Sequence, residues 1–267
     1  MRLLSWNVQW CRGMDGVVDP GRIAAEAKRL ADPDVVCLQE VAAGFAELAG
    51  SRGEDQFALL GSLFPGYSAH PVWPVELEGK RFGNLLLSRL PVKRVLRHSL
   101  PWPAAPDAPS MPRAAVEAVI QAPGGLLRVL TTHLEYSSAE HRTAQIGRLR
   151  TLHAEACSSR HGEDEPGPFA HPELPESALF CGDFNFPPQD ALHARMREFG
   201  FIDCWERLNP GTPHPHTFRV HEPERKQHPY CCDFVFATPD IGARLRSMRI
   251  DTDNRASDHQ PVIVELE

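Results

Sequence analysis

Ser257-Asp258-His259-Gln260-Pro261 sets a carboxylate beside an imidazole at the head of the apolar run Pro261 to Leu266. A short apolar run of this kind reads as a buried strand, so the pair sits at the strand's mouth, on the rim of a sheet. The same arrangement recurs upstream. Ser5-Trp6-Asn7 lies in a run that opens at Leu3, Leu38-Gln39-Glu40 closes one that opens at Val35, Thr132-His133-Leu134 closes one from Leu126, and Gly182-Asp183-Phe184-Asn185 follows Ala178 to Cys181. Strand after strand thus delivers a carboxylate, a carboxamide or an imidazole to a loop. Metal-assisted attack of water on a phosphate ester needs this inventory: a cation on the phosphoryl oxygens, a base for the water, and donors for the developing charge.

Because the signatures run from residue 5 to near residue 260, the 267 residues read as one domain, 1–267, and a hydrophobic content of 42% suffices for a buried core. A formal net charge of -7 offers no long-range attraction to a polyanion, so a nucleic-acid substrate gains nothing from bulk charge. The basic runs Arg81 to His98 and Arg142 to Arg160 read as solvated surface. Seven cysteines, an odd number, and a start at Met1-Arg2-Leu3-Leu4 without a secretory signal point to the reduced cytoplasm. No apolar stretch approaches the roughly 18 residues that a membrane span requires. The expected protein is a soluble monomer with no membrane partner.

Patterning places strands at Leu3 to Val8, Val35 to Gln39, Asn84 to Ser88, Ala114 to Ile120, Leu126 to His133, Ala178 to Cys181, Cys232 to Ala237, Arg244 to Ile250 and Pro261 to Leu266. Asp19-Pro20 opens a helix to about Ala31, an N-cap followed by proline at the first helical position. Further helices are expected from Ser138 to about Cys157 and from Pro187 to about Phe199. Pro123-Gly124-Gly125 reads as a hairpin turn, and Ser158 to Glu176 as a surface loop.

Glu40 is a hard oxygen ligand at a strand end and suits Mg²⁺, which takes few protein carboxylates. Asp183 and Asn185, alternating about Phe184, form a pair to orient water and hold it or the phosphate; the same residues also read as an Asx turn before Pro187-Pro188. His259 can trade protons near neutrality, and Asp233 is the carboxylate expected to fix its tautomer from another strand. His133 offers a second donor to the phosphate. His214, His216, His221 and His228 with Cys231 and Cys232 raise the question of zinc, but their spacing matches no paired pattern and prolines break it into loop. Trp73, Arg81, Phe82, Trp102 and Arg113 are the basic and aromatic residues that a single-strand groove would need.

Taken in order, Ser-Trp-Asn at 5 to 7, Leu-Gln-Glu at 38 to 40, Gly83-Asn84-Leu85-Leu86-Leu87-Ser88, Gly-Asp-Phe-Asn at 182 to 185 and Ser-Asp-His at 257 to 259 resemble the motifs of the endonuclease/exonuclease/phosphatase superfamily. The resemblance spans nearly the whole chain. It implies an α/β fold, a four-layered α/β/β/α sandwich of two packed, mixed, mainly antiparallel sheets, with the site on one rim. It implies Glu40 as main metal ligand, Asn7 beside it holding phosphate or metal, and Asp258 at or near the metal. Asp183 would activate water, Asn185 and His133 would contact the phosphate, and His259 with Asp233 would stabilise it or act as base; Asn84 and Arg113 complete the substrate-binding set. The implied cofactor is Mg²⁺, with Mn²⁺ as its alternative.

Gln9 departs from the apurinic branch, whose members carry an aspartate there. His133-Leu134-Glu135 with Arg142 and Gln145 is similar to tyrosyl-DNA phosphodiesterases. The implied activity is hydrolysis of a phosphate ester by a phosphodiesterase or nuclease, with DNA among the substrates. A phosphatase or phosphodiesterase on a small molecule or lipid headgroup is the alternative, and a non-catalytic binding member the reading from a different class.

Overall fold

A computed structural model describes residues 1–105, 108–158, 174–222 and 228–267. In chain order its elements are β1 (Arg2–Asn7), a 3₁₀ turn (Gln9–Cys11), α1 (Pro20–Ala31), β2 (Val35–Ala43), α2 (Gln56–Leu63), β3 (Ser68–Leu77), β4 (Lys80–Ser88), β5 (Val92–Ser99), β6 (Ala114–Ala122), β7 (Gly125–His133), α3 (Ala139–Ser158), β8 (Ala178–Asp183), α4 (Ala191–Glu198), β9 (Ile202–Asp203), α5 (Cys204–Leu208), β10 (Asp233–Ala237), α6 (Pro239–Gly242), β11 (Leu245–Ile250) and β12 (Val262–Leu266). Asp19 caps α1 through the Arg22 amide at 3.1 Å, with Pro20 at the first helical position.

The fourth helix is shorter than its expected start at Pro187. Asp190 accepts the Leu192 amide at 2.8 Å and sets the N-cap there. The expected loop Ser158 to Glu176 falls for the most part outside the described residues. The basic run Arg81 to His98 is not loose surface: it is the buried strand β4 followed by the half-exposed β5.

The strands form two six-stranded sheets, ordered β11-β12-β1-β2-β4-β3 and β5-β6-β7-β8-β10-β9. Among the described residues, only β1/β2 and β7/β8 pair in parallel; the other pairs are antiparallel. Period-two alternation explains the layering. Leu3, Val35 and Cys37 face the second sheet, where Val116, Val129, Leu179 and Val235 meet them. The intervening Leu4, Val36 and Leu38 face Ile23 and Ala27 of α1 and Phe57 and Leu60 of α2. Phe180, Phe234 and Phe236 likewise turn outward onto Ile146 and Leu149 of α3 and Leu192 and Met196 of α4. Strands covered on both faces read as continuous apolar runs, which is why they stand out in the sequence. The result is an α/β/β/α sandwich.

This topology collects the signature residues. The parallel pairs end at one rim, and β10 and β12, antiparallel to their neighbours, begin there. Gly182 guards the spacing. It lies opposite Thr132, with φ of 136°, and a Cβ there would stand 1.9 Å from the Thr132 carbonyl oxygen. Gly182→Ala is therefore expected to destabilise the protein by about 2 kcal/mol or more, because the clash is with backbone and the φ is strained for any other residue. A fall in the urea midpoint at unchanged m-value is the check.

Candidate active site

His133, Asp183 and Asp233 form one row across three strands, since β7 pairs His133 with Asp183 and β10 pairs Asp233 with Asp183. Facing them on the other sheet, Asn7 pairs with Gln39. The sequence suggests that the second strand ends at Gln39, yet β2 continues to Ala43 through a bulge between Leu38 and Val41. Glu40 sits in that bulge with φ of 59°, a left-handed backbone that aims its side chain into the cleft. The Ser257 hydroxyl donates to the Asn7 carbonyl at 2.8 Å, and the Trp6 indole donates to the His259 carbonyl at 2.9 Å. These bonds tie the segment bearing Asp258 and His259 to β1.

Asn7 joins the two sheets. Its Nδ2 donates to Glu40 Oε1 and to Asp183 Oδ2, each at 3.0 Å, and its Oδ1 accepts the Gln9 amide at 3.1 Å. Both N–H groups of Asn7 are thus given to carboxylates, one from each sheet, and it positions the two. His259 Nδ1 bonds Asp233 Oδ2 at 2.9 Å, the pairing expected from sequence, while its Nε2 stands 3.6 Å from Asp183 Oδ2. Asp183 and Asn185 meet through an Asx turn, with the Asn185 amide donating to Asp183 Oδ1 at 2.9 Å and Asn185 itself at φ of 54°.

Asn185 Nδ2 donates to the Leu134 carbonyl and to His133 Nε2, both at 2.9 Å. That partner makes His133 Nε2 an acceptor, so its proton resides on Nδ1, 3.9 Å from Glu40 Oε1. Both N–H groups of Asn185, expected to contact the phosphate, are used internally in this structure.

Burial, with the Asp258 charge added, pushes the Glu40 carboxyl up to about 7. Burial also raises Asp183 to about 6, opposed by the charge of His259. For His259 burial works against the cation, but the Asp233 and Asp183 charges outweigh it and lift the imidazole to about 10. His133 moves the other way: burial and then the Arg113 charge hold it well below the ordinary range, so it is neutral. Two histidines on one rim therefore carry different charges.

The rim opens into a cavity of about 620 Å³. Gln9, Glu40, Arg113, His133, Asn185, Asp258 and His259 line its polar end; Trp10, Phe45, Leu48, Val75, Phe82, Met111, Tyr136 and Phe218 form the walls. Gln9 and Trp10 enter it from a turn in which Gln9, Trp10 and Cys11 have φ of 45°, 44° and 61°. Gln9 Nε2 donates to Asp258 Oδ2 at 2.7 Å, Gln56 Nε2 donates to the Trp10 carbonyl at 2.7 Å, and the Trp10 indole donates to the Ala49 carbonyl at 3.0 Å. An aspartate at position 9 would instead repel Asp258.

Some expected residues lie elsewhere. Asn84 is buried and does not line the cavity; its Nδ2 donates to the Ala114 carbonyl at 3.0 Å. Of the proposed groove, only Phe82 and Arg113 line the cavity; Trp73 packs on Phe57, Arg81 stacks over Trp73 and pairs with Asp55, and Trp102 is exposed with its indole on Ser110. Arg142 and Gln145 support the backbone at Glu135. The histidines and cysteines from 214 to 232 do not form one cluster: His214 joins His193 and Asp203, and Cys232 lies against Asp233. The apolar walls escape the sequence reading because an aromatic residue lining a cavity has the same signature as one in a core.

A mixed α/β/β/α sandwich with carboxylates, amides and an aspartate-paired histidine on one rim defines a hydrolase of phosphoric esters. The chain belongs to the endonuclease/exonuclease/phosphatase family, which it matches over residues 4–259. Enzymes of this family are generally dependent on divalent metal, and Glu40, His133 and Asp183 form one group of donors here that could hold one. No curated protein sequence matches the chain significantly. Among solved structures, the mannosyl-6-phosphatase of Bacteroides thetaiotaomicron is similar with a TM-score of 0.72 at 17% identity, covering 100% of this chain and 99% of that one. A 3′ phosphatase from Neisseria bound to a product DNA hairpin has a TM-score of 0.64 at 20% identity, with 100% and 99% covered. A humanized D. rerio TDP2 has a TM-score of 0.65 at 20% identity, with 99% and 97% covered.

The His259 pairing has a direct consequence. Asp233→Asn keeps the shape of the side chain and removes the charge, so the raised imidazole pKa should fall toward the ordinary value of about 6.5. Histidine NMR titration reads this; an unmoved His259 resonance would show that Asp233 does not hold its charge.

Proposed function

We propose that the chain is a Mg²⁺-dependent hydrolase of phosphate esters whose metal is held by Glu40 and Asp258. The observation that carries the reading is the convergence on one cavity of Glu40 and Asp258 with the His259–Asp233 pair, above a buried Asp183. Glu40 and Asp258 lie close enough that the Asp258 charge helps to raise Glu40, and a hard divalent cation would relieve this pair. When bound, the ion supplies charge to the phosphoryl oxygens and lowers the barrier to attack.

The chain's own groups supply the remainder. Arg113 and the Nδ1–H of His133 donate to the phosphate from the second sheet, and Arg113 is oriented by Glu135, which accepts its Nε at 3.3 Å. Asp183, ionised near neutrality and fixed by Asn7 and the Asn185 amide, takes the proton from water. His259 remains an imidazolium through Asp233 and presents its Nε2–H to the charge that develops on the phosphoryl group. At rest it is a charge stabiliser, and Asp183 is the base.

The cavity also bears on substrate. Among the described residues that line it, Arg113 is the sole arginine and there is no lysine, and the walls are apolar. This favours an ester of compact size with an apolar or aromatic body. A nucleic-acid end is the second reading, supported by aromatic walls on which a base can stack.

Turnover of bis-p-nitrophenyl phosphate, p-nitrophenyl phosphate, mannose 6-phosphate, a 3′-phosphorylated DNA hairpin and 5′-phosphotyrosyl DNA, each with Mg²⁺ or Mn²⁺, tests the proposal. Absence of turnover on every substrate would overturn it. Glu40→Gln is expected to weaken Mg²⁺ binding and activity together, checked by calorimetry and initial rates. Asp183→Asn should lower kcat by about 100-fold or more with little change in Tm, because it removes a group that acts on the transition state. Near-normal turnover in that variant would exclude Asp183 as base.

A further inference from the structure

A second set of donors lies away from the cavity. His193 is carried by α4, Asp203 ends β9 and caps α5, and His214 comes from the loop that leads toward β10. Both imidazoles present Nε2 to the same oxygen, Asp203 Oδ2, at 2.8 Å and 3.0 Å. The other oxygen, Oδ1, accepts the Trp205 and Glu206 amides at 2.7 Å and 3.1 Å, which fixes the carboxylate's orientation. One donor atom from each residue lies within 4.8 Å of the others. The rings stand at 84° to one another, edge to face, and do not stack.

The environment favours a cation. The three side chains are only 2%, 1% and 5% exposed, and Phe234 packs against both imidazoles at 5.1 Å and 5.5 Å between ring centroids. A carboxylate in so dry a place needs a positive partner. Among the described residues, its ion partners are these two histidines. Two imidazole nitrogens and one carboxylate oxygen are donors of the zinc type, and ligand atoms of a tetrahedral site at about 2.0–2.2 Å from the ion stand only slightly farther apart than these do. Mg²⁺ would prefer oxygen.

We propose that His193, Asp203 and His214 bind a single zinc-class ion. It clamps α4, α5 and the loop before β10 around the aromatic cluster. Each ring then carries its proton on Nδ1 and offers the Nε2 lone pair. Because β10 begins at Asp233, the clamp braces the strand that bears the partner of His259.

The full chain, stripped with chelator and titrated with Co²⁺, tests this. A tetrahedral nitrogen-rich site gives an intense visible band, and the oxygen-rich active site gives only a weak one. Wild type and Glu40→Gln should both develop the band at one equivalent and compete for Zn²⁺ against a chromophoric chelator. His193→Gln and His214→Gln retain an amide donor to Asp203, but should lose the band and weaken Zn²⁺ binding by about 100-fold. Zn²⁺ should raise Tm in wild type and not in either glutamine variant. No band in wild type would overturn the proposal, leaving a triad held by hydrogen bonds alone. A band that survives both glutamine variants, or disappears in Glu40→Gln, would also overturn it. If the glutamine variants fail to fold by circular dichroism, the comparison of wild type with Glu40→Gln decides.

Discussion

One amide nitrogen, Asn7 Nδ2, holds carboxylates from two different sheets, and the rest of the rim follows from that sharing. Glu40 arrives from β2 and Asp183 from β8, and two buried like charges would part if nothing stood between them. The amide supplies a proton to each. Its orientation is forced, because a reversed amide would turn an oxygen toward two acceptors. With Nδ2 so fixed, Oδ1 must face the Gln9 amide, and that contact helps hold the left-handed turn that brings Gln9 to Asp258 and Trp10 into the cavity.

Backbone strain concentrates at this rim. Gln9, Trp10, Cys11, Glu40 and Asn185 all have positive φ without being glycine, and each such residue costs of order 1–3 kcal/mol. The two-sheet core and its helix layers offset the cost, and every strained residue is tied by a hydrogen bond or burial. Strain of this kind aims side chains: in a regular strand Glu40 would alternate into a packed face and Asn185 would point away from Leu134.

The order of buried strands was readable because a strand covered on both faces is an unbroken apolar run, and the rim residues were readable because polar atoms at the ends of such runs have few other reasons to be there. The His259–Asp233 pair is the clearest instance, since its partners lie on different strands and only the topology joins them. What stayed hidden has identifiable physical causes. β3 contains Pro71 and Pro74, which argue against a strand in the sequence, yet an edge position tolerates them. β5 carries Lys93, Arg94 and Arg97, the charges that protect an edge and that sequence reads as surface. The bulge at Glu40 and the turn at Gln9–Cys11 contain no glycine to announce a positive φ. Asn84 lies in a motif that is also that of a strand, and the strand turns its amide inward to Ala114.

The slab of side chains between the sheets acts as a ruler. Leu3, Val35 and Cys37 on one side and Val116, Val129 and Leu179 on the other set how far apart the two halves of the rim stand. Glu40 rides on the first sheet, and Asp183 and His133 ride on the second. A methylene added or removed deep in that slab, far from any substrate, would therefore lengthen or shorten the gap across which a phosphate must be gripped. Volume at those buried positions is thus a remote dial on reaction geometry, and drift there can retune the enzyme while every residue of the cavity stays the same.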